Sequence, residues 1–119
     1  MKNSSARKGT LQFTPEEQQK ITSLKKAAQT EICWDGGPPR DGHRATLCGI
    51  DVQFFLNVDK EDHCGQYQLH LSKKTGEQPG LDEVQAMAFT FFEGKDYQIL
   101  PHERNSNRIR VLGLFFKAG

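Results

Sequence analysis

The sequence predicts an α+β fold, with an antiparallel sheet of about four strands and two helices in the order α-β-β-α-β-β. Residues 66–72 alternate polar and apolar side chains, which is the period of a half-buried strand. Residues 81–92 instead carry apolar side chains at helical spacing, and Gly94 follows them as a residue suited to the left-handed end of a helix. The polar segments between the extended stretches have the length of hairpin connections, which favours antiparallel pairing.

The first helix is predicted to begin just after Thr14. The Thr14 hydroxyl can cap free backbone amides, Pro15 suits the first helical position, and Glu17 completes a capping box. The apolar side chains that follow form one narrow stripe at helical spacing: Ile21, Leu24, Ala28 and Ile32. We therefore expect an amphipathic helix that lies across a sheet or a partner.

Residues 44–58 form the first extended stretch, in which apolar and polar side chains alternate. Gly49 lies within this stretch, which indicates a bulge or a turn that splits it in two. Cys48 falls on the apolar pattern and is predicted to be a small core residue. The polar residues 59–65 then lead into the strand at 66–72, and their length favours a hairpin.

The second half of the chain contains the best-buried helix and two further strands. Residues 81–92 present a wide apolar face, so this helix should be buried more completely than the first. Residues 97–100 and 108–116 have strand chemistry and are joined by the turn-forming residues 105–107. Because apolar side chains occupy both faces of the last stretch, we expect it to be central or covered on both sides.

Length and composition predict one domain. The chain has 119 residues, of which residues 1–10 are predicted to be a mobile basic tail and residues 11–119 a single domain. It has no apolar run long enough for a membrane helix and no secretory signal at its start, so a cytoplasmic location without membrane contact is expected. Three cysteines, an odd number in a reducing compartment, are expected to be free thiols.

The sequence contains no catalytic or metal-binding signature, so we predict no enzymatic activity, no cofactor and no metal. The candidate zinc ligands Cys33, His43, Cys48, His63 and Cys64 are scattered, without the paired spacing of a structural site. Spacing alone does not pair either Cys33 or Cys64 with His43 or His70 as nucleophile and base. His70 lies on the polar side of a strand, where a surface or interface histidine is more common than a general base.

Residue types that anchor protein interfaces predict a protein partner. Tryptophan and arginine are enriched at interface hot spots, and one tryptophan lies beside a rigid Gly-Gly-Pro-Pro loop. The predicted contact residues are Trp34, Arg40, Arg104, Arg108 and Arg110. The alternative for the tryptophan is that it closes over the core. Self-association remains open, because eight phenylalanines exceed what one small core requires.

Nucleic-acid binding is the alternative function. Residues 1–26 hold six basic and two acidic side chains, a net charge of +4, whereas residues 27–119 hold ten basic and thirteen acidic ones, a net charge of −3. A basic arm of this kind, together with a C-terminal hairpin that bears arginines, suits contact with phosphates. The predicted contacts for this alternative are Arg7, Lys8, Lys25, Lys26, Lys73 and Lys74.

The C-terminal half resembles small phage- and prophage-encoded domains of unknown function. The resemblance rests on a His-containing strand at residues 68–72, on Pro79 before a helix that opens with residues 82–84, and on a strand that ends in Pro101. At the helix start this chain has Gly80-Leu81 where the family has a tryptophan. The resemblance implies a host-directed or counter-defence binding protein, of the inhibitor type, rather than an enzyme.

Overall fold

The computed structural model describes residues 11–101 and 107–117. The predicted tail at residues 1–10 lies outside this range. In chain order, the elements are α1 (Pro15–Thr30), β1 (Cys33–Trp34), a 3-10 helix (Asp41–His43), β2 (Arg44–Leu47), β3 (Ile50–Val58), β4 (Cys64–Lys73), α2 (Leu81–Phe92), β5 (Tyr97–Pro101), β6 (Arg108–Gly113) and β7 (Phe116–Lys117).

The strands form one mixed seven-stranded sheet. Its main path is β1-β3-β4-β6-β5, while β2 also pairs with β3 and β7 also pairs with β4. β1 runs parallel to β3, and all other pairs are antiparallel. The α+β class with two α-helices agrees with the sequence prediction, but the predicted sheet of about four antiparallel strands in the order α-β-β-α-β-β is wrong. Two of the additional strands, β1 and β7, are only two residues long, which is too short to show the alternating pattern of a strand in the sequence.

A two-residue turn at Cys48 and Gly49 splits the first extended stretch into β2 and β3. Both residues have positive φ, 52° and 77°, as the tight turns of β-hairpins require. The prediction that Cys48 is a core residue is therefore wrong, since it is a partly buried turn residue. Its backbone N–H donates to Glu17 Oε2 over 2.9 Å, while Glu17 Oε1 accepts from the backbone N–H of Thr14 over 3.0 Å.

Both helices pack on the same face of the sheet. In register, Val52 of β3 lies opposite Leu71 of β4, which in turn lies opposite Ile109 of β6, and all three point into one core. Ile21, Leu24 and Ala28 of α1 and the wide face of α2 complete this core, whereas Ile32 of the predicted stripe lies beyond the end of α1. α2 has twice as many buried residues as α1 although it is shorter, which confirms the prediction that it is the better-buried helix. Neither helix in the described part of the chain is long and apolar enough to cross a bilayer.

The end of the last predicted strand differs from the expectation. Ile109 and Val111 of β6 are buried, but the strand ends at Gly113 and not at residue 116. Leu114 and Phe115 follow as an interruption before β7, and their side chains are 64% and 71% exposed. Of the two alternatives expected for this stretch, the central position is confirmed, because β6 lies between β4 and β5. Cover on both sides is wrong, because both helices pack on one face of the sheet.

We expect Glu17→Gln to reduce stability at neutral pH. Hydrogen bonds from the backbone of Cys48, and then from that of Thr14, lower the pKa of Glu17 below its ordinary value of 4.5. A carboxyl whose pKa is lowered by folding stabilises the folded state above its unfolded pKa, and this contribution is lost as the pH falls through the folded pKa.

The stability difference between the wild type and Glu17→Gln should therefore be largest at pH 7 and shrink below pH 4.5. Thermal unfolding followed by circular dichroism at pH 7 and pH 3 measures it. Glu16→Gln is the matched control, because Glu16 is the neighbouring exposed carboxylate in the same helical turn. A pH response of Glu16→Gln as large as that of Glu17→Gln would contradict the role assigned to the two backbone hydrogen bonds.

Candidate functional site

The face of the sheet opposite the helices, here called the open face, carries two rows of polar side chains. Side chains alternate between the two faces along a strand, so neighbours in register share a face. The register places the first row across β2, β3, β4 and β6 as Thr46, Asp51, Ser72 and Arg108. The second row lies two residues from the first on each strand and consists of Arg44, Gln53, His70 and Arg110.

The residues of these rows, apart from Arg110, line a surface cavity of about 330 Å³. Arg44 lies on the side of β2 and Arg108 on the side of β6, while Asp51, Gln53, His70 and Ser72 lie between them. A larger cavity of about 610 Å³ lies between α1 and β2 and shares Arg44 and Ala45 with the first. The first cavity is the better candidate because polar groups from four strands converge on it.

The three arginines of the open face have no acidic partner among the described residues. The ion pairs in that part of the chain join Lys25 to Glu93 and Lys73 to Glu83. The buried Nε of Arg110 also has no hydrogen-bond partner there. Guanidinium groups that lack an internal partner remain available for carboxylate or phosphate groups of a ligand.

A chain of hydrogen bonds along β4 holds His70 in place. His70 Nε2 lies 3.1 Å from Gln68 Oε1, and Gln68 Nε2 donates to Gln66 Oε1 over 3.2 Å. Gln66 Nε2 then donates to the backbone oxygen of Gly113 over 3.1 Å. The His70 ring also contacts buried Phe55, with 5.3 Å between the ring centroids. The histidine is therefore a fixed part of the cavity floor.

Serine, histidine and aspartate side chains meet in this cavity, but they are not connected as a catalytic triad. The Ser72 hydroxyl forms no hydrogen bond to another described residue, and Asp51 Oδ1 accepts from Thr46 Oγ1 over 3.0 Å. Nucleophilic catalysis requires a base within hydrogen-bond reach of the nucleophile. Among the described residues, Ser72, His70 and Asp51 are therefore not joined by hydrogen bonds as nucleophile, base and orienting acid.

His43 and Cys33, two of the candidate metal ligands, have structural surroundings. His43 is fully buried, with Nδ1 accepting from the backbone N–H of Arg40 over 2.9 Å and Nε2 lying 3.4 Å from the backbone oxygen of Ala27. Burial raises the pKa of the Cys33 thiol, which lowers the fraction of reactive thiolate. Within residues 11–101 and 107–117, no three His, Cys, Asp or Glu side chains are grouped as metal ligands.

The structure separates the predicted protein-contact residues into two regions. Arg108 and Arg110 lie together on the open face, and Arg104 lies outside the described residues. Trp34 is 45% exposed and pairs with Val58, at the opposite end of β3 from Asp51. Seven residues along a strand correspond to roughly 23 Å, so Trp34 and Arg108 do not share a small site. Arg40 is exposed in the loop before the 3-10 helix.

The residues predicted for nucleic-acid binding do not form one surface with the arginines. Lys25 and Lys26 lie on α1, which covers the other face of the sheet, and Lys25 is paired with Glu93. Lys73 is paired with Glu83 of α2, whereas Lys74 is exposed in the loop after β4. Arg7 and Lys8 lie outside the described residues.

The sequence patterns did not indicate a site at Arg44, Thr46 and Asp51. Their positions alternate with the apolar Ala45, Leu47 and Val52, so the period of two already placed them on the polar side. The sequence left open whether Gly49 marks a bulge or a turn. The structure has a hairpin turn at Cys48 and Gly49, which places Thr46 opposite Asp51 and Arg44 opposite Gln53.

Comparison with known proteins finds no matching family model, no similar curated protein sequence and no similar solved structure. The resemblance to phage-encoded domains therefore stays a prediction from the sequence.

Gly113, at the end of β6, lies on the side of the sheet that α2 covers, and we expect a side chain at this position to clash with the helix. A Cβ atom there would lie 2.9 Å from Phe92 Cε1, and Phe92 is buried in contact with the rings of Phe54 and Tyr97. Gly113→Ala should therefore destabilise the protein by about 1–3 kcal/mol, the usual cost of overpacking.

Urea unfolding measures the effect of Gly113→Ala. Gly42→Ala is the control, because a Cβ at Gly42 meets its nearest atoms only at 3.7 and 3.9 Å. If the two variants lose the same stability, the contact with Phe92 is not the cause.

Proposed function

We propose that this protein is a non-enzymatic binding module that holds an acidic surface of a protein partner against its open face. By covering that surface it would act as an inhibitor or accessory factor. The observation that carries the proposal is the set of three arginines, Arg44, Arg108 and Arg110, on one sheet face without acidic partners among the described residues. Arginine is one of the residue types that most often supplies binding energy at protein interfaces.

The composition of the open face favours protein over single-stranded nucleic acid. Binding of single strands relies on exposed aromatic rings that stack with bases. The aromatic ring on the open face, Phe55, is only 6% exposed. The exposed aromatic side chains of the described residues lie elsewhere. Trp34 pairs with Val58 at the far end of β3, Phe89 lies on α2, and Phe115 and Phe116 line another surface cavity with Tyr67 and Phe92.

The position of the lysines also favours a protein partner. Lys25 forms an ion pair with Glu93 and Lys73 forms one with Glu83. Lys26 lies on α1, which covers the other face of the sheet. A nucleic acid that follows the arginines therefore does not meet these lysines on the same face. The further proposal that the partner belongs to a host cell, and that binding serves counter-defence, rests on the resemblance to phage-encoded domains.

Affinity capture from a host extract, with three baits, tests the proposal. The baits are the wild type, Arg108→Glu combined with Arg110→Glu, and the control Lys26→Glu combined with Lys74→Glu. We expect a defined protein to be retained by the wild type and by the lysine control. Two reversed arginines should weaken its binding by about 1,000-fold, since hot-spot residues contribute about 2 kcal/mol or more each and about 1.4 kcal/mol corresponds to a factor of ten.

Circular dichroism of each bait establishes that the fold persists. Equal capture by all three baits would contradict the proposal, because the open face would then make no contribution to binding.

Binding to a generic single-stranded oligonucleotide distinguishes the nucleic-acid alternative. Neutralisation of three phosphates by the three arginines predicts a slope of about −2 for the logarithm of the binding constant against the logarithm of salt concentration. Fluorescence polarisation between low and moderate salt measures this slope. Binding with that slope, lost in the double arginine variant, would replace the protein partner with a nucleic acid.

A further inference from the structure

We infer that the cavity between Arg44 and Arg108 is a carboxylate-binding subsite, which receives an aspartate or glutamate side chain of the bound partner. This inference rests on the proposed function, because it names the group by which the open face recognises an acidic protein. The cavity itself is a property of the folded chain and can be tested with a small molecule.

The positions of the two arginines provide the first support. Their strands are separated by three strand spacings, about 14 Å. Both side chains line the same cavity, one from the side of β2 and the other from the side of β6. Neither forms an ion pair with a described residue. A small anion that enters the cavity therefore lies between two guanidinium groups, which bind carboxylates through paired N–H donors.

The charge of the lining selects a carboxylate over a phosphate. Arg44 and Arg108 supply two positive charges and Asp51 supplies one negative charge, so the charged groups that line the cavity carry a net charge of +1. A carboxylate, with a single negative charge, balances this lining. A doubly charged phosphate would leave an excess negative charge beside the Asp51 carboxylate, where like charges repel each other.

Asp51 also specifies a second group on the ligand. Its Oδ1 accepts a hydrogen bond from Thr46, whereas its Oδ2 accepts none from another residue in the described ranges. An acceptor in this position suits an N–H donor close to the bound carboxylate. An acidic residue within a peptide has both groups, since its own backbone amide lies only a few bonds from the carboxylate.

The floor of the cavity is preorganised for such a ligand. His70 is held by Gln68 and packed against Phe55, and Thr46 fixes one oxygen of Asp51. Gln53 and Ser72 add further hydrogen-bonding groups to the lining. Because these groups lie on paired strands rather than on a loop, little ordering is needed on binding.

A titration of the full-length, ¹⁵N-labelled chain with N-acetyl-glutamate methylamide at low salt tests this inference. This probe has one carboxylate and two amide N–H groups. We expect saturable shifts in the backbone amide signals of the cavity residues: Thr46, Asp51, Gln53, His70 and Ser72. The capped glutamine analogue, which has the same shape without the charge, should bind at least about tenfold more weakly, since charge-assisted hydrogen bonds are about twice as strong as neutral ones.

Variants of the lining residues locate the binding. Arg44→Gln and Arg108→Gln should each weaken binding of the capped glutamate by about tenfold or more, whereas Lys26→Gln, which removes an exposed charge on α1, should leave it unchanged. Superimposable spectra of the unliganded variants show that the fold is retained.

Asp51→Asn tests the preference for a carboxylate over a phosphate, because the new amide oxygen still accepts from Thr46 while one negative charge is removed. It should strengthen binding of inorganic phosphate by a larger factor than binding of the capped glutamate, because phosphate carries more charge.

The results separate failure of this inference from failure of the proposed function. Undetectable binding of the capped glutamate, equal binding of the capped glutamine, or tighter binding of inorganic phosphate to the wild type would each overturn the carboxylate subsite. If the captured protein still depends on Arg108 and Arg110 in that case, the proposed function stands without the subsite. Phosphate binding that exceeds carboxylate binding, together with oligonucleotide binding, would assign the face to nucleic acid instead.

Discussion

Burial on a single face of the central strands is the constraint on which the rest of this structure depends. β3, β4 and β6 place Val52, Leu71 and Ile109 in one row under the helices, and both helices lie on that side. Because side chains alternate along a strand, every residue between these core positions faces the other way. The polar rows of the open face follow directly from the position of the helices.

As a result, the open face presents its arginines from paired strands, which form a rigid support. A guanidinium group on a mobile loop must be ordered when it binds, and this ordering reduces affinity. Here Arg44, Arg108 and Arg110 are attached to strands that are paired on at least one side, and His70 between them is held by its own hydrogen bonds. Within residues 11–101 and 107–117, Lys25 and Lys73 form ion pairs with Glu93 and Glu83, away from this face. These ion pairs therefore leave the positive charge of the open face unneutralised.

The side chain of Glu17 connects α1 to the hairpin formed by β2 and β3. Glu17, in the first turn of α1, accepts hydrogen bonds from the backbone of Thr14 and from that of Cys48 in the turn between β2 and β3. It thus links the start of the helix to the edge hairpin that carries Arg44 and Thr46. Residues of a capping box usually act only within their own helix, whereas this one also contacts the turn of the hairpin.

The sequence by itself determined those helices, caps and turns that depend on residue types only a few positions apart. The bounds of α2 at Leu81–Phe92, the capping box at Thr14 and Glu17, and the hairpin between β3 and β4 all follow from residue type and spacing over a few positions. The presence of Arg108 and Arg110 on the polar side of a strand also follows from alternation alone.

The tertiary structure decided which segments meet. The parallel pairing of Cys33–Trp34 with β3 depends on where α1 ends, and no periodic pattern exists in two residues. The meeting of Arg44 with Arg108 in one cavity depends on the register of three strand pairs, since these residues are far apart in the chain. Register is a property of paired strands, because the side-chain pattern of a single strand specifies which face a residue occupies but not which residue lies opposite.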